Sequence, residues 1–391
     1  MNPLRTRMAA RDITESHRAS SPLELLFDLT FVVAVAQIAI QLATRIADGH
    51  PVEAVAPFLS VFFAIWWAWN QFTWLASAYD TDDVLYRVCT MVQMAGVLVL
   101  AAGVPTAFGG DFLYVTIGYL IMRVGLIGIL ARAMYEDPGS RAVSRRYLIG
   151  ISVVQTGWLL SLLFVPPELR GLAFIVLATA ELLVAPWASR VGDLAWHPHH
   201  IAERYGLFTI ILLGEIVLAS AAAVQLGIKT GVTAELWIVA FTGLVLLFAL
   251  WWLYFSQPAG DGLERHRGRS YIWGYGHALI FAGLVAVGAG LEVAVESAVH
   301  HIDATPTLIG YAIAIPLAVV LILIWALHAP LVDETVIHPV ATITAAVLVL
   351  VVPLLAPAIG VVGTLGAITA CVVGLLVFTL ARGTASARTP R

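Results

Sequence analysis

Charge is what this sequence has least of. Asp, Glu, Lys and Arg make up 12% of the 391 residues, against about 25% in an ordinary soluble domain. So few charges cannot cover a chain of this length with polar surface, and a water-soluble globular protein is excluded. Lysine is nearly missing, with Lys229 alone beside 20 arginines. There is no long basic run and the net charge is −4, which removes nucleic acid from the partners. Cysteine is scarce as well. Cys89 and Cys371 sit far apart in apolar stretches, so no disulfide framework or cysteine metal site is expected, and both read as small buried hydrophobes.

What the sequence has instead is 60% hydrophobic residues and a mean hydropathy of +0.91. A bilayer core of about 30 Å takes about 20 apolar residues per helix, and only helices or closed barrels satisfy the backbone in lipid. The apolar runs are too continuous for barrel strands, which alternate every second residue. Breaks at Gly, Pro and charge clusters place twelve spans near 22–46, 52–79, 84–104, 111–134, 145–165, 169–188, 201–225, 234–256, 271–298, 306–328, 338–356 and 359–381. With the N-terminus cytoplasmic, the segments on that side carry 17 Lys and Arg residues and the opposite side 3, with Arg123 inside a span. This asymmetry predicts both termini inside, in a multi-pass protein of the bacterial cytoplasmic membrane. The first apolar run carries Glu24 and Asp28 and lacks a small-residue cleavage site, so no cleaved signal peptide is expected.

The two halves resemble each other. Ala95–Gly103 (AGVLVLAAG) returns as Ala282–Gly290 (AGLVAVGAG), and the pair Trp66-Trp67 returns as Trp251-Trp252. Six spans per half, an even number, give both halves the same orientation. The expected fold is therefore all-α, a polytopic membrane protein of about 12 transmembrane helices in two parallel six-helix repeats. The repeats cover 22–188 and 201–381, with a polar N-terminus at 1–21, a linker at 189–200 and a polar tail at 382–391.

Ionisable groups inside spans cost about 2.5–3.5 kcal/mol each on insertion scales and are functional candidates. Arg123 and Glu215 lie deepest, and Arg123 is expected to pair with either Glu215 or Glu181. Glu24 and Asp28 are four apart on one helix face, where they serve either as N-terminal charges favoured by the helix dipole or as a cation or proton site. Gln37 and Gln41 extend that helix with a second polar patch. In span seven, Glu203, Gly206, Ile210 and Gly214 share a face, and the glycines are expected to allow close packing beside Glu215. His199 and Glu203, with His197 and His200 nearby, form a weak metal candidate that lacks a clear further ligand. His277 lies within span nine, and Glu292, Glu296 and His300 line its far end. The Asp80, Asp82, Asp83 cluster and the Gly260–Arg269 segment read as solvated loops. The latter loosely resembles the Gly-Asp-Arg loop of major facilitator transporters.

Several of these residues carry a resemblance. Glu24-Leu-Leu-Phe-Asp-Leu-Thr-Phe-Val-Val33, the Trp66-Trp67 span with its acidic exit, and above all His200-Ile-Ala-Glu-Arg-Tyr-Gly-Leu-Phe-Thr-Ile-Ile-Leu-Leu-Gly-Glu215 are similar to the low temperature requirement A (LtrA) family of bacterial membrane proteins. His277 also resembles a family position. The resemblance implies a membrane protein linked by name to growth in the cold, and it raises the weight of Glu24, Asp28, His200, Glu203, Arg204, Gly214 and Glu215.

The leading expectation is a secondary transporter or ion-conducting protein in the lipid bilayer, with carboxylates handling a cation, a proton or a small-molecule substrate. The alternative is a membrane-embedded metal protein or enzyme using His197–Glu203. No nucleophile motif or phosphate loop supports catalysis, no cofactor is expected, and the sequence leaves the oligomeric state open.

Overall fold

The computed structural model describes residues 4–13, 15, 19–79, 81–231, 234–257, 259–300, 302–332 and 336–388. Arg18, Asp80 and Arg391 lie outside the described residues, as does the side chain of Arg388. The described chain is helical with no strand: α1 (Pro22–Ala47), α2 (Pro51–Ala78), α3 (Val84–Ala102), α4 (Val104–Phe108), α5 (Leu113–Glu136), α6 (Arg141–Phe164), α7 (Arg170–Ala188), α8 (Pro198–Thr230), α9 (Ala234–Phe255), α10 (Ala259–Arg265), α11 (Ser270–Ser297), α12 (Pro306–His328), α13 (Pro339–Val351) and α14 (Ala356–Arg388).

Local chemistry sets many of these ends. Five long helices begin on proline, at Pro22, Pro51, Pro198, Pro306 and Pro339, where the fixed φ suits the first turn and the missing N–H has no partner to lose. Before α1, Ser21 and Glu24 form a reciprocal capping box: Ser21 N–H donates to Glu24 Oε2 at 2.7 Å and Glu24 N–H to Ser21 Oγ at 3.3 Å. Asp83 caps α3 by accepting the Tyr86 N–H at 2.9 Å.

Eleven stretches are long and apolar enough to cross a membrane. Their outward surfaces carry Leu25, Leu29 and Val33 on α1 and Phe241, Phe248, Trp251 and Trp252 on α9, apolar exteriors that water would not tolerate in these numbers. The eleventh stretch, Pro339–Arg382, is 44 residues long, about twice what a bilayer core requires, and it is not one rod. α13 gives way to a 3-10 turn at Val352–Leu355, and α14 is broken at Gly360, whose φ of 68° only glycine adopts without strain. α13 and α14 pack on each other and on α12. Both of the last two expected spans fall within this broken stretch.

The chain divides into two compact units, one of residues 1–38 and 57–204, the other of 39–56 and 205–391. In the first, α5 packs on α3 and α6, and α6 on α7. In the second, α11 is the most enclosed of the spanning helices, packed on α12 and α9, and α14 also lies on α9.

Candidate functional site

The first unit buries a cluster of charge from α1, α2 and α8. The spacing that puts Glu24 and Asp28 on one face aims both carboxylates at Arg204, which lies 3.0 Å from Glu24 Oε1 and 2.5 Å from Asp28 Oδ1. His200, one turn before Arg204 on α8, places Nε2 3.2 Å from Glu24 Oε1. Trp69 of α2 donates its indole N–H to Asp28 at 2.8 Å. Glu24, Asp28, His200 and Arg204 are all buried. Two carboxylates face one guanidinium, and a protonated His200 would complete the balance of charge. Arg204, placed on the cytoplasmic tally by sequence, is thus an interior residue.

A second buried cluster lies on the other side of α2. Trp67, two residues before Trp69, donates to Glu181 of α7 at 2.9 Å. Tyr119 of α5 and Gln155 of α6 donate to the other Glu181 oxygen at 2.9 and 2.5 Å. Arg123 donates to Gln71 at 2.6 Å and to the Tyr119 hydroxyl, over whose ring it also lies. Of the two pairings open to Arg123, the structure shows an indirect link to Glu181, with the Tyr119 hydroxyl standing between guanidinium and carboxylate.

The acidic loop after α2 is not uniformly solvated. Asp82 meets Arg87 at the surface, but Asp83 is buried against Arg132 at 2.8 Å. The N-terminal segment straps over this pair: Thr6 N–H donates to Asp83, Met8 N–H to Glu136, and Arg132 to the Thr6 carbonyl. Burial alone would raise the Asp83 carboxyl, but hydrogen bonds from Arg132, Thr6 and Tyr86 hold it below the usual aspartate value.

The histidine candidates disperse. His197 Nε2 lies 2.8 Å from the Glu15 carbonyl, and its Nδ1 faces the His200 N–H at 3.4 Å. Glu203 is exposed and accepts the Ser20 N–H at 3.2 Å, while His199 is exposed beside the His197 ring. His200 is committed to Glu24. Gln37 and Gln41 are half-buried.

In the second unit, Glu215 of α8 is buried, and its electrostatic neighbour is another acid, Glu292 of α11, which in turn faces Glu296. Among the described residues of this unit no cation pairs with Glu215. The close packing expected of Gly214 comes from elsewhere: a Cβ at Gly214 would meet nothing within 4 Å, whereas one at Gly288 of α11 would lie 2.6 Å from Glu215 Cβ. Gly206 instead faces the Phe255 ring. Trp66 and Trp67 are buried, but Trp251 and Trp252 are exposed. His277 is fully buried, and the Tyr254 hydroxyl lies 3.2 Å from its Nε2.

Sequence reasoning missed Trp69, Tyr119, Gln71, Gln155, Asp83 and Arg132. Two signals were available: Tyr119 stands four before Arg123, and Gln155 interrupts an apolar run.

The pattern of the family described as Bacterial low temperature requirement A protein (LtrA) matches residues 19–378. An uncharacterized protein of Rhizobium meliloti (strain 1021) is 29% identical over 301 residues, 73% of this chain and 71% of that one. The match spans both charged clusters of the first unit and Glu215 of the second, and the chain belongs to the bacterial LtrA family of membrane proteins.

Proposed function

We propose that this protein is a secondary transporter or ion-conducting protein of the bacterial cytoplasmic membrane that handles a proton or small cation through buried carboxylates. The observation that carries this reading is Glu215. A carboxylate buried beside a second acid, with no cation paired to it among the described residues of its unit, needs a proton or a bound cation to offset its charge. The Glu24–Asp28–Arg204–His200 cluster supports the same reading, because the protonation of one imidazole changes its net charge.

Both termini lie on the cytoplasmic side in this reading. Arg132 and Arg204 leave the tally because they are buried, and the remaining 15 against 3 keep the same sign. Two parallel repeats are supported by equivalent packing. Gly96 and Gly103 of the first half receive α5, and Gly283 and Gly290 receive α12.

Purified protein reconstituted into liposomes with a pH-sensitive dye, screened against a set of monovalent and divalent cations, tests the proposal. Flux is expected from the wild type, abolished in Glu215→Gln and altered in Asp28→Asn. Absence of flux for every ion, or flux unchanged in both variants, overturns it.

A further inference from the structure

Two histidines in the second unit are placed alike. His277 of α11 and His328, the last residue of α12, are both buried. His277 Nδ1 lies 2.7 Å from the Trp273 carbonyl and His328 Nδ1 2.8 Å from the Ile324 carbonyl, in each case four residues back on the same helix. A carbonyl only accepts, so each Nδ1 carries the hydrogen, and each neutral ring offers its Nε2 as a lone pair. The backbone bonds therefore fix both tautomers in the form that a metal-ligating histidine takes, with the second nitrogen held by a carbonyl.

The rings of His277, His328 and Tyr254 are mutual neighbours. Their centroids stand 5.7 Å apart for the two histidines, 6.0 Å for Tyr254 and His277, and 5.9 Å for Tyr254 and His328. Two imidazoles bound to one ion at about 2.0–2.1 Å put their centroids about 5–6 Å apart. The Tyr254 oxygen, 3.2 Å from His277 Nε2, is at the spacing of two donors on a common ion as well as that of a hydrogen bond. Trp273 closes one side, 4.3 Å from the His277 ring and 6.2 Å from the His328 ring.

We propose that His277 Nε2, His328 Nε2 and the Tyr254 oxygen form a transition-metal site that takes copper. Imidazole nitrogen suits late first-row metals, copper among them. The three donors are neutral, and in so enclosed a place a monovalent ion leaves less uncompensated charge than a divalent one, so Cu(I) is the species bound. All three donors lie near helix ends, in the last turn of α9, the second turn of α11 and the end of α12. α10 packs on the 3-10 turn that follows α12, with Gly262 against Leu331. The site is thus set towards one end of its unit. It is separate from Glu215 and does not rest on the transport reading.

The test is titration of chelator-stripped, detergent-solubilised full-length protein with Cu(I) under anaerobic reducing conditions against a competing chelator, with Zn(II) in parallel. The expected result is about one Cu(I) per chain, with His277→Gln and His328→Gln each weakening it by about 100-fold or more and Tyr254→Phe by about tenfold. His199→Gln is expected to leave it unchanged. X-ray absorption of copper-loaded wild type covers the case in which the buried variants fail to fold, and should show imidazole scattering with nitrogen at about 2.0 Å. A coordination shell without imidazole, no Cu(I) binding, stoichiometric binding of zinc in preference to copper, or unchanged affinity in a folded His328→Gln protein overturns the proposal.

Discussion

Arg204 of α8 binds Asp28 of α1 at 2.5 Å across 176 residues of chain, and the same guanidinium lies 3.0 Å from Glu24. One cation thus holds two acids that would otherwise repel each other on a single helix face, and Trp69 supplies a further donor to Asp28.

Removal of that cation leaves two uncompensated carboxylates inside the first unit. Arg204→Gln is expected to cost about 3–5 kcal/mol, whereas Asp28→Asn, which keeps an oxygen for the Trp69 N–H, costs less. Thermal unfolding in detergent of both single variants and the double variant checks this. Strictly additive losses would show that Arg204 and Asp28 do not interact.

The Tyr119 hydroxyl joins Arg123 to Glu181. Tyr119→Phe deletes one oxygen while keeping the ring beneath the guanidinium, so it reports on the bridge alone. Its expected cost is about 1–3 kcal/mol, from charged groups left short of a partner. Melting at the wild-type temperature would count against the bridge.

Gly288 gives α11 its approach to Glu215. Gly288→Ala places a Cβ 2.6 Å from Glu215 Cβ and should destabilise the protein by about 1–3 kcal/mol through overpacking. Gly366→Ala, where nothing lies within 4 Å, is the matched control and should be neutral or slightly stabilising. Equal behaviour of the two variants in a thermal-shift assay would refute the close contact.

Asp83 makes the docking of the N-terminal segment depend on pH. Its carboxyl is held below its unfolded value, so its contribution is present above the ordinary aspartate range and is lost as pH falls through the depressed folded value. Hydrogen exchange of the Thr6 and Tyr86 amides should therefore quicken on acidification below about pH 4. In Asp83→Ala, which leaves neither amide an acceptor, exchange should already be fast at neutral pH and show no such step.

The sequence by itself determined the solvent, the all-helical class and most helix positions, because hydropathy, proline at first helical positions and the Ser21–Glu24 capping box act over one or two turns. It also marked Glu24, Asp28, Arg123, Glu181, Glu215 and His277, because a charge or imidazole among apolar neighbours stands out locally, while Arg204 drew its weight from the family resemblance alone and His200 from that and from the neighbouring histidines. The partners of these residues were another matter. Asp83 looked like one more solvated loop acid until Arg132 and the strand of chain around Thr6 covered it. Arg123 had two candidate acids until Tyr119 was found between it and one of them. Gly288 rather than Gly214 makes room beside Glu215. Such pairings depend on which helix faces meet, and a contact between positions 28 and 204 leaves no periodic trace near either one; only the tertiary structure, by packing α1, α2 and α8 together, decides it.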